Sequence, residues 1–139
     1  MNLKFIVYKY RFFMGYIIIG ILSILIELTT YRFLLTILNN FYISTFISVL
    51  LNIIFAFWLN VSYNFKISTA KRNKALLYFL IISFTSYFIQ IFIINKLLQF
   101  TSYYYSRIII SGSFFWVAYF FHSKTSFKDY KKVGVAIYA

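Results

Sequence analysis

Acidic residues are scarce in this chain of 139 residues, which has 2 Asp and Glu against 14 Lys and Arg, and cysteine and proline are absent. Without cysteine the chain has no disulfide and no thiolate chemistry, and one histidine with two carboxylates cannot form a typical zinc or two-metal centre. The lack of proline excludes the proline-broken helices with which many transporters expose backbone groups. We therefore expect no catalytic residue, no enzyme activity, no metal and no cofactor.

Apolar residues dominate what is present, with 63% hydrophobic and 25% aromatic residues. A soluble chain of this length would have too little polar surface to cover its core, so the composition indicates an integral membrane protein. The net charge of +12 would favour nucleic acid in a soluble domain. Here the basic residues border apolar runs, where each gains roughly 1 kcal/mol from anionic headgroups. We expect membrane lipids as partners and no nucleic acid.

The basic residues form three clusters that flank or separate the apolar runs. The clusters are Lys4, Lys9 and Arg11; Lys66, Lys71, Arg72 and Lys74; and Lys124, Lys128, Lys131 and Lys132. Cytoplasmic loops carry the excess of Lys and Arg, so the clusters should share one side of the membrane, with an even number of crossings between them. This predicts four spans and two cytoplasmic termini. The first apolar run is too long for a signal-peptide core, so we expect a retained anchor.

The spans are predicted at 12–38, 41–63, 75–94 and 107–121, with an outer turn at Asn39-Asn40. A polar loop from Asn64 to Lys74 and an outer connection from Asn95 to Ser106 should join them. The triplet Tyr103-Tyr104-Tyr105 in that connection is typical of an interfacial aromatic belt. The predicted fold class is an all-α, integral membrane four-helix bundle in a single domain.

The ends of the second and fourth spans resemble each other at an offset of 62 positions. Residues 56–66 align with 118–128 with identities at Ala, Phe and Lys, and Glu27 then falls within one position of Gln90. This favours two parallel repeats of a two-helix hairpin entering from inside. Chance similarity in so biased a composition is the alternative.

Each span carries a stripe of polar or small residues that should face inward. Its members are Gly20, Ser23, Glu27 and Thr30; Ser44, Ser48, Asn52, Ala56 and Asn60; Ser83, Ser86 and Gln90; and Ser111, Ala118 and His122. Helix packing explains most of them. Glu27 differs, because a mid-span carboxylate costs at least roughly 2.5–3.5 kcal/mol and usually marks a ligand, ion or proton path.

Candidate partners for Glu27 within the spans are Asn52, Asn60, Gln90 and His122, the second and last of which should lie nearer the cytoplasmic end. The alternative is a purely structural carboxyl group that is paired or protonated. Three further cations, Arg32, Lys96 and Arg107, fall in the outward half. They are either snorkelling anchors or together an outward-facing phosphate site, in which the two arginines would make forked contacts.

These residues carry a resemblance to the GtrA-like family of small four-span bacterial membrane proteins. The resemblance rests on Gly20 followed seven positions later by Glu27, on the end of the second span at residues 60–65, and on a weaker copy at 122–127. It covers about residues 11–128. The chain departs from the family pattern at four positions, Ala56, Val61, Ser62 and His122, where the family commonly has Asn, Arg, Arg and Asn.

The resemblance implies a function in the bacterial cytoplasmic membrane: translocation of a polyprenyl-phosphate-linked sugar for cell-surface polysaccharide synthesis. It also implies a membrane glycosyltransferase as a working partner, and four helices are too few to enclose a large headgroup, which favours a homo-oligomer. A non-transporting partner or anchor of such a glycosyltransferase is the alternative. A proton-coupled multidrug exporter is a third, disfavoured by the strong Lys and Arg bias.

Overall fold

The computed structural model describes the backbone of residues 3–127 and the side chains of residues 10–127. Within that range four helices follow one another: α1 (Leu3–Leu38), α2 (Phe41–Leu59), α3 (Thr69–Leu97) and α4 (Tyr103–Lys124). The end of α2 continues into a π-helical segment, Asn60–Asn64. The tail lysines 128, 131 and 132 and the side chains of Lys4 and Lys9 lie outside the described residues.

Three of the described helices are long and apolar enough to cross a membrane: Tyr10–Leu38, Phe41–Asn64 and Thr69–Leu97. The fourth helix, α4, has 22 residues, a length of about 33 Å at 1.5 Å per residue, which also matches the hydrocarbon thickness. Its Ser, Arg and His residues lower its hydropathy. The chain is therefore an all-α membrane helical bundle, as the sequence predicted.

The helices extend further than the predicted spans, and the connections are shorter. Because α3 begins at Thr69, its first turns carry Lys71 and Lys74, which the sequence placed in a loop. At the first turn, Asn39 has a left-handed backbone (φ 47). Asn40 caps α2, where its Oδ1 accepts a hydrogen bond from the N–H of Ile43 at 3.0 Å. The tight turn predicted at these two asparagines is confirmed.

Side-chain contacts show that neighbouring helices run antiparallel. Near the start of α1, the ring of Phe13 lies 4.7 Å from that of Trp116, late in α4. Near its end, Tyr31 lies 4.3 Å from Tyr103, the first residue of α4. Tyr31 also meets Phe41, the first residue of α2, at 6.1 Å. The bundle thus runs up, down, up and down.

The end of the bundle that contains the π-helical segment also carries the exposed basic side chains; we call it the basic end. These side chains belong to Arg11, Lys66, Lys71, Lys74 and Lys124. The opposite end, where Tyr31 and Tyr103 meet, is called the far end. The expectation that Tyr103 belongs to an interfacial aromatic belt is wrong. Because α4 already begins at Tyr103, this side chain is buried against Tyr31, whereas Tyr105 is exposed.

The two hairpins end in matching structures at the basic end. The N–H of Phe65 donates to the carbonyl of Asn60 at 2.7 Å, and the N–H of Phe127 donates to the carbonyl of His122 at 2.9 Å. The two phenylalanine rings stack on each other with centroids 4.4 Å apart. Asn60 and His122 are 62 positions apart, and so are Phe65 and Phe127. The repeat found in the sequence therefore has a structural counterpart.

Candidate functional site

The centre of the site is an ion pair between Glu27 of α1 and Arg107 of α4. Arg107 Nε donates to Glu27 Oε1 at 2.5 Å, and Arg107 Nη2 donates to Glu27 Oε2 at 2.9 Å, which is a forked contact. Glu27 is 0% exposed and Arg107 is 5% exposed. A pair this deeply buried is stable only when the remaining polar atoms also find partners.

Two amide side chains complete the pair. Asn52 of α2 donates from Nδ2 to Glu27 Oε2, and Gln90 of α3 accepts at Oε1 from Arg107 Nη1 at 2.6 Å. Gln90 Nε2 in turn donates to Ser86 Oγ at 2.8 Å. Each of the four helices therefore contributes one residue, and we call Glu27, Asn52, Gln90 and Arg107 the polar network.

A cavity of about 140 Å³ lies beside the polar network and is open to it. Three members of the network line this cavity, whereas Glu27 is not part of its wall. The remaining wall contains serines and aromatic rings as well as Asn60 and His122 from the basic end. The polar side chains of the wall are Tyr16, Ser23, Asn52, Asn60, Ser83, Ser86, Tyr87, Gln90, Arg107, Ser111 and His122.

Asn60 and His122 form a second polar group, towards the basic end of the cavity. Asn60 donates from Nδ2 to the carbonyl of Ala56 at 2.8 Å and accepts from Asn64 Nδ2 at 3.1 Å. His122 stacks on Phe79 with centroids 4.2 Å apart, and its Nδ1 lies 3.2 Å from Ser126 Oγ. Neither residue forms a hydrogen bond with Glu27, and both lie nearer the basic end than Glu27 does. That this end is the cytoplasmic one remains a prediction.

The structure does not bring together the three cations that the sequence suggested for an outward phosphate site. Arg32 and Lys96 are exposed, whereas the guanidinium of Arg107 points into the bundle towards Glu27. The reason is electrostatic, since a buried carboxylate attracts the nearest cation that can reach it. A role of these residues in substrate binding remains a prediction.

Arg107 is the partner of Glu27 that sequence reasoning missed. It was placed at the first residue of the fourth span, 107–121, and therefore at the interface. Because α4 begins at Tyr103, Arg107 lies a full turn inside the helix. Charge balance could have pointed to this partner. A lone carboxylate within a span needs either a nearby cation or a proton that neutralises it.

The chemistry open to this site is the binding of an anion. A guanidinium has five N–H donors, and Arg107 uses three in the hydrogen bonds described above. The other two N–H groups, one on each Nη atom, have no hydrogen-bond partner among the described residues. Among residues 3–127, no group of three His, Cys, Asp or Glu side chains is placed to hold a metal ion.

The chain is thus a polytopic membrane domain. Its four helices together form one polar site inside the bundle. Over residues 15–133 the sequence matches the family described as GtrA/DPMS, transmembrane domain. The chain belongs to this family, as its resemblance predicted. No curated protein and no solved structure matches it.

Proposed function

We propose that the protein moves a polyprenyl-phosphate-linked sugar across the bacterial cytoplasmic membrane, without covalent chemistry. The family supports a role as a membrane protein in polyprenyl-linked sugar pathways. The observation that carries the proposal is the cavity, because it joins the cationic Arg107 to Asn60 and His122 along the bundle. The polar side chains along this wall would contact a phosphate and a sugar while the prenyl tail stays in lipid.

The size of the cavity constrains the mechanism. At about 140 Å³ it is smaller than the roughly 300–1,000 Å³ of sites that enclose drug-sized ligands. The headgroup therefore needs a wider passage, which requires helices to separate or a second copy to complete the groove. A homo-oligomer satisfies this requirement. Consumption of the lipid-linked sugar on the outer side would supply the direction.

The exposed basic patch favours a second candidate function, a non-transporting partner that anchors a glycosyltransferase. Lys66, Lys71 and Lys74 present their side chains at the basic end, where the membrane-facing part of a cytoplasmic enzyme could bind. This patch is compatible with both functions, since a flippase also depends on the enzyme that makes its substrate. The two functions differ in whether the purified protein alone moves the lipid.

Reconstitution in vesicles that contain a labelled polyprenyl-phosphate sugar tests the proposal. The parent protein should move the label between leaflets without any transferase. Asn52→Ala removes an amide from the polar network and should slow this movement, whereas the neighbouring, exposed Leu51→Ala should not. No movement by folded parent protein would support the anchoring function instead.

A further inference from the structure

We infer that Glu27 is a built-in competitor for the phosphate that Arg107 binds: the phosphate displaces the carboxylate from the guanidinium, and the carboxylate later displaces the phosphate. This inference rests on the proposed function and assigns the phosphate contact of the lipid-linked sugar to Arg107. It also gives Glu27 a role in releasing the phosphate, in addition to helix packing and to neutralising the charge of Arg107.

The position of the two charged groups relative to the cavity carries the first step. Arg107 lines the cavity and Glu27 does not, so a ligand in the cavity meets the cation while the carboxylate stays behind it. The contact of Nε and Nη2 with the two carboxylate oxygens is the geometry in which a guanidinium also binds two phosphate oxygens. The two N–H groups that Arg107 leaves unused meet the phosphate first, and a phosphate that goes on to occupy the fork competes with the carboxylate for Nε and Nη2.

The neighbouring amides make an exchange possible without dismantling the site. Gln90 Oε1 accepts from Nη1, which takes no part in the forked contact, so Gln90 holds the guanidinium at the cavity wall whichever anion is bound. Asn52 donates to Glu27 Oε2 and stays with the carboxylate when Arg107 leaves it. Only the fork between Glu27 and Arg107 has to open.

A competitor of this kind serves transport, because conduction requires a ligand to bind well enough to enter and weakly enough to leave. A buried arginine with no carboxylate beside it would hold a phosphate tightly. Glu27 limits this affinity, since the carboxylate regains its own partner each time the phosphate departs. Removing the carboxylate should therefore strengthen binding and slow movement together.

The test measures binding of a polyprenyl phosphate to the purified full-length protein, with the unphosphorylated polyprenol and inorganic phosphate as comparison ligands. Glu27→Gln should bind the polyprenyl phosphate about tenfold more tightly than the parent, because the competing charge is gone. Arg107→Gln should abolish the preference for phosphate over polyprenol. Arg11→Gln removes an exposed arginine at the basic end and should leave the affinity unchanged.

Glu27→Gln leaves the Arg107 charge buried without its partner, so folding needs a separate control. The double variant Glu27→Gln with Arg107→Gln restores neutrality and should fold but show no phosphate preference. Glu27→Asp keeps the charge on a shorter side chain and should give an affinity between those of parent and Gln variant. Weaker or equal binding by folded Glu27→Gln and Glu27→Asp would overturn the competition.

Vesicle transport separates this inference from the proposed function. In the same vesicles Glu27→Gln should move the lipid more slowly than the parent despite its higher affinity. If the parent moves the lipid but the variant binds it no more tightly, the competition is wrong and the flippase stands. If the variant binds more tightly but the parent moves nothing, the phosphate site stands and transport is wrong.

Discussion

Gly20 and Gly112 differ in their surroundings and should therefore differ in their tolerance to substitution. A Cβ atom at Gly20 would clash with the ring of Phe115, which packs against α1 at this point. A Cβ atom at Gly112 would meet no heavy atom within 4 Å. Gly20 thus provides the space in which α4 approaches α1, and this approach sets the position of Arg107 relative to Glu27.

Gly20→Ala should lower the free energy of unfolding by about 1–3 kcal/mol, the usual effect of overpacking. Gly112→Ala is the matched control and should raise it by about 0.5–1 kcal/mol, because alanine favours the helix and its methyl group meets no other atom. Thermal or denaturant unfolding of the purified proteins in the same detergent measures both. Adding Phe115→Leu to Gly20→Ala should recover part of the loss, and equal stabilities of the two glycine variants would contradict this packing.

At the scale of elements, the protein consists of two similar hairpins that meet at the basic end. On α1 the buried residues Phe12, Tyr16 and Tyr31 correspond, 63 positions later, to buried residues of α3. These are Ala75, Phe79 and Ile94. The hairpin ends then match at an offset of 62 through the stacked pair Phe65 and Phe127. This stacked pair closes the end of the bundle beneath His122 and Asn60.

Phe127 should contribute strongly to the packing of the two hairpins against each other, because its side chain is 0% exposed and stacks on Phe65. Phe127→Ala should destabilise the protein by about 3–5 kcal/mol. Phe121→Ala, at a position of α4 that is 50% exposed, should have a small effect. A double-mutant cycle with Phe65→Ala should give a coupling energy of about 0.5–1.5 kcal/mol, and additive losses would show that the stacking does not join the hairpins.

At the scale of the whole molecule, charge is distributed unequally between the two ends of the bundle. The basic end carries Arg11, Lys66 and Lys74 among its exposed side chains, whereas Arg32 and Lys96 are the exposed cations of the described residues towards the far end. The excess of Lys and Arg on the cytoplasmic side predicts that the basic end faces the cytoplasm. The part of the cavity lined by Asn60 and His122 then lies towards the inner leaflet.

Reporter fusions along the chain test this orientation. Fusions after Lys74 and after Lys132 should report a cytoplasmic position, because both follow basic clusters. A fusion after Asn40, in the turn between α1 and α2, should report an external one. An external signal after Lys74 would reverse the orientation and remove the argument for two cytoplasmic termini.

The sequence by itself determined the class of protein, the number of helices, the turn at Asn39 and Asn40, and Glu27 as an unusual buried acid. These features depend on composition, on runs of apolar residues and on local turn chemistry. None of these requires knowing which distant residues meet in the fold. The offset between the two hairpins was also visible, because both halves meet the same packing requirements at the basic end.

Only the tertiary structure decided that Arg107 pairs with Glu27 and that Arg32 does not. The two paired residues are separated by 80 positions, and no local pattern distinguishes a snorkelling arginine from one that turns inward. That choice depends on where α4 begins and on how closely α1 and α4 approach at Gly20 and Phe115. A buried charge takes its partner from the side chains within its reach, and packing of the helices determines that reach.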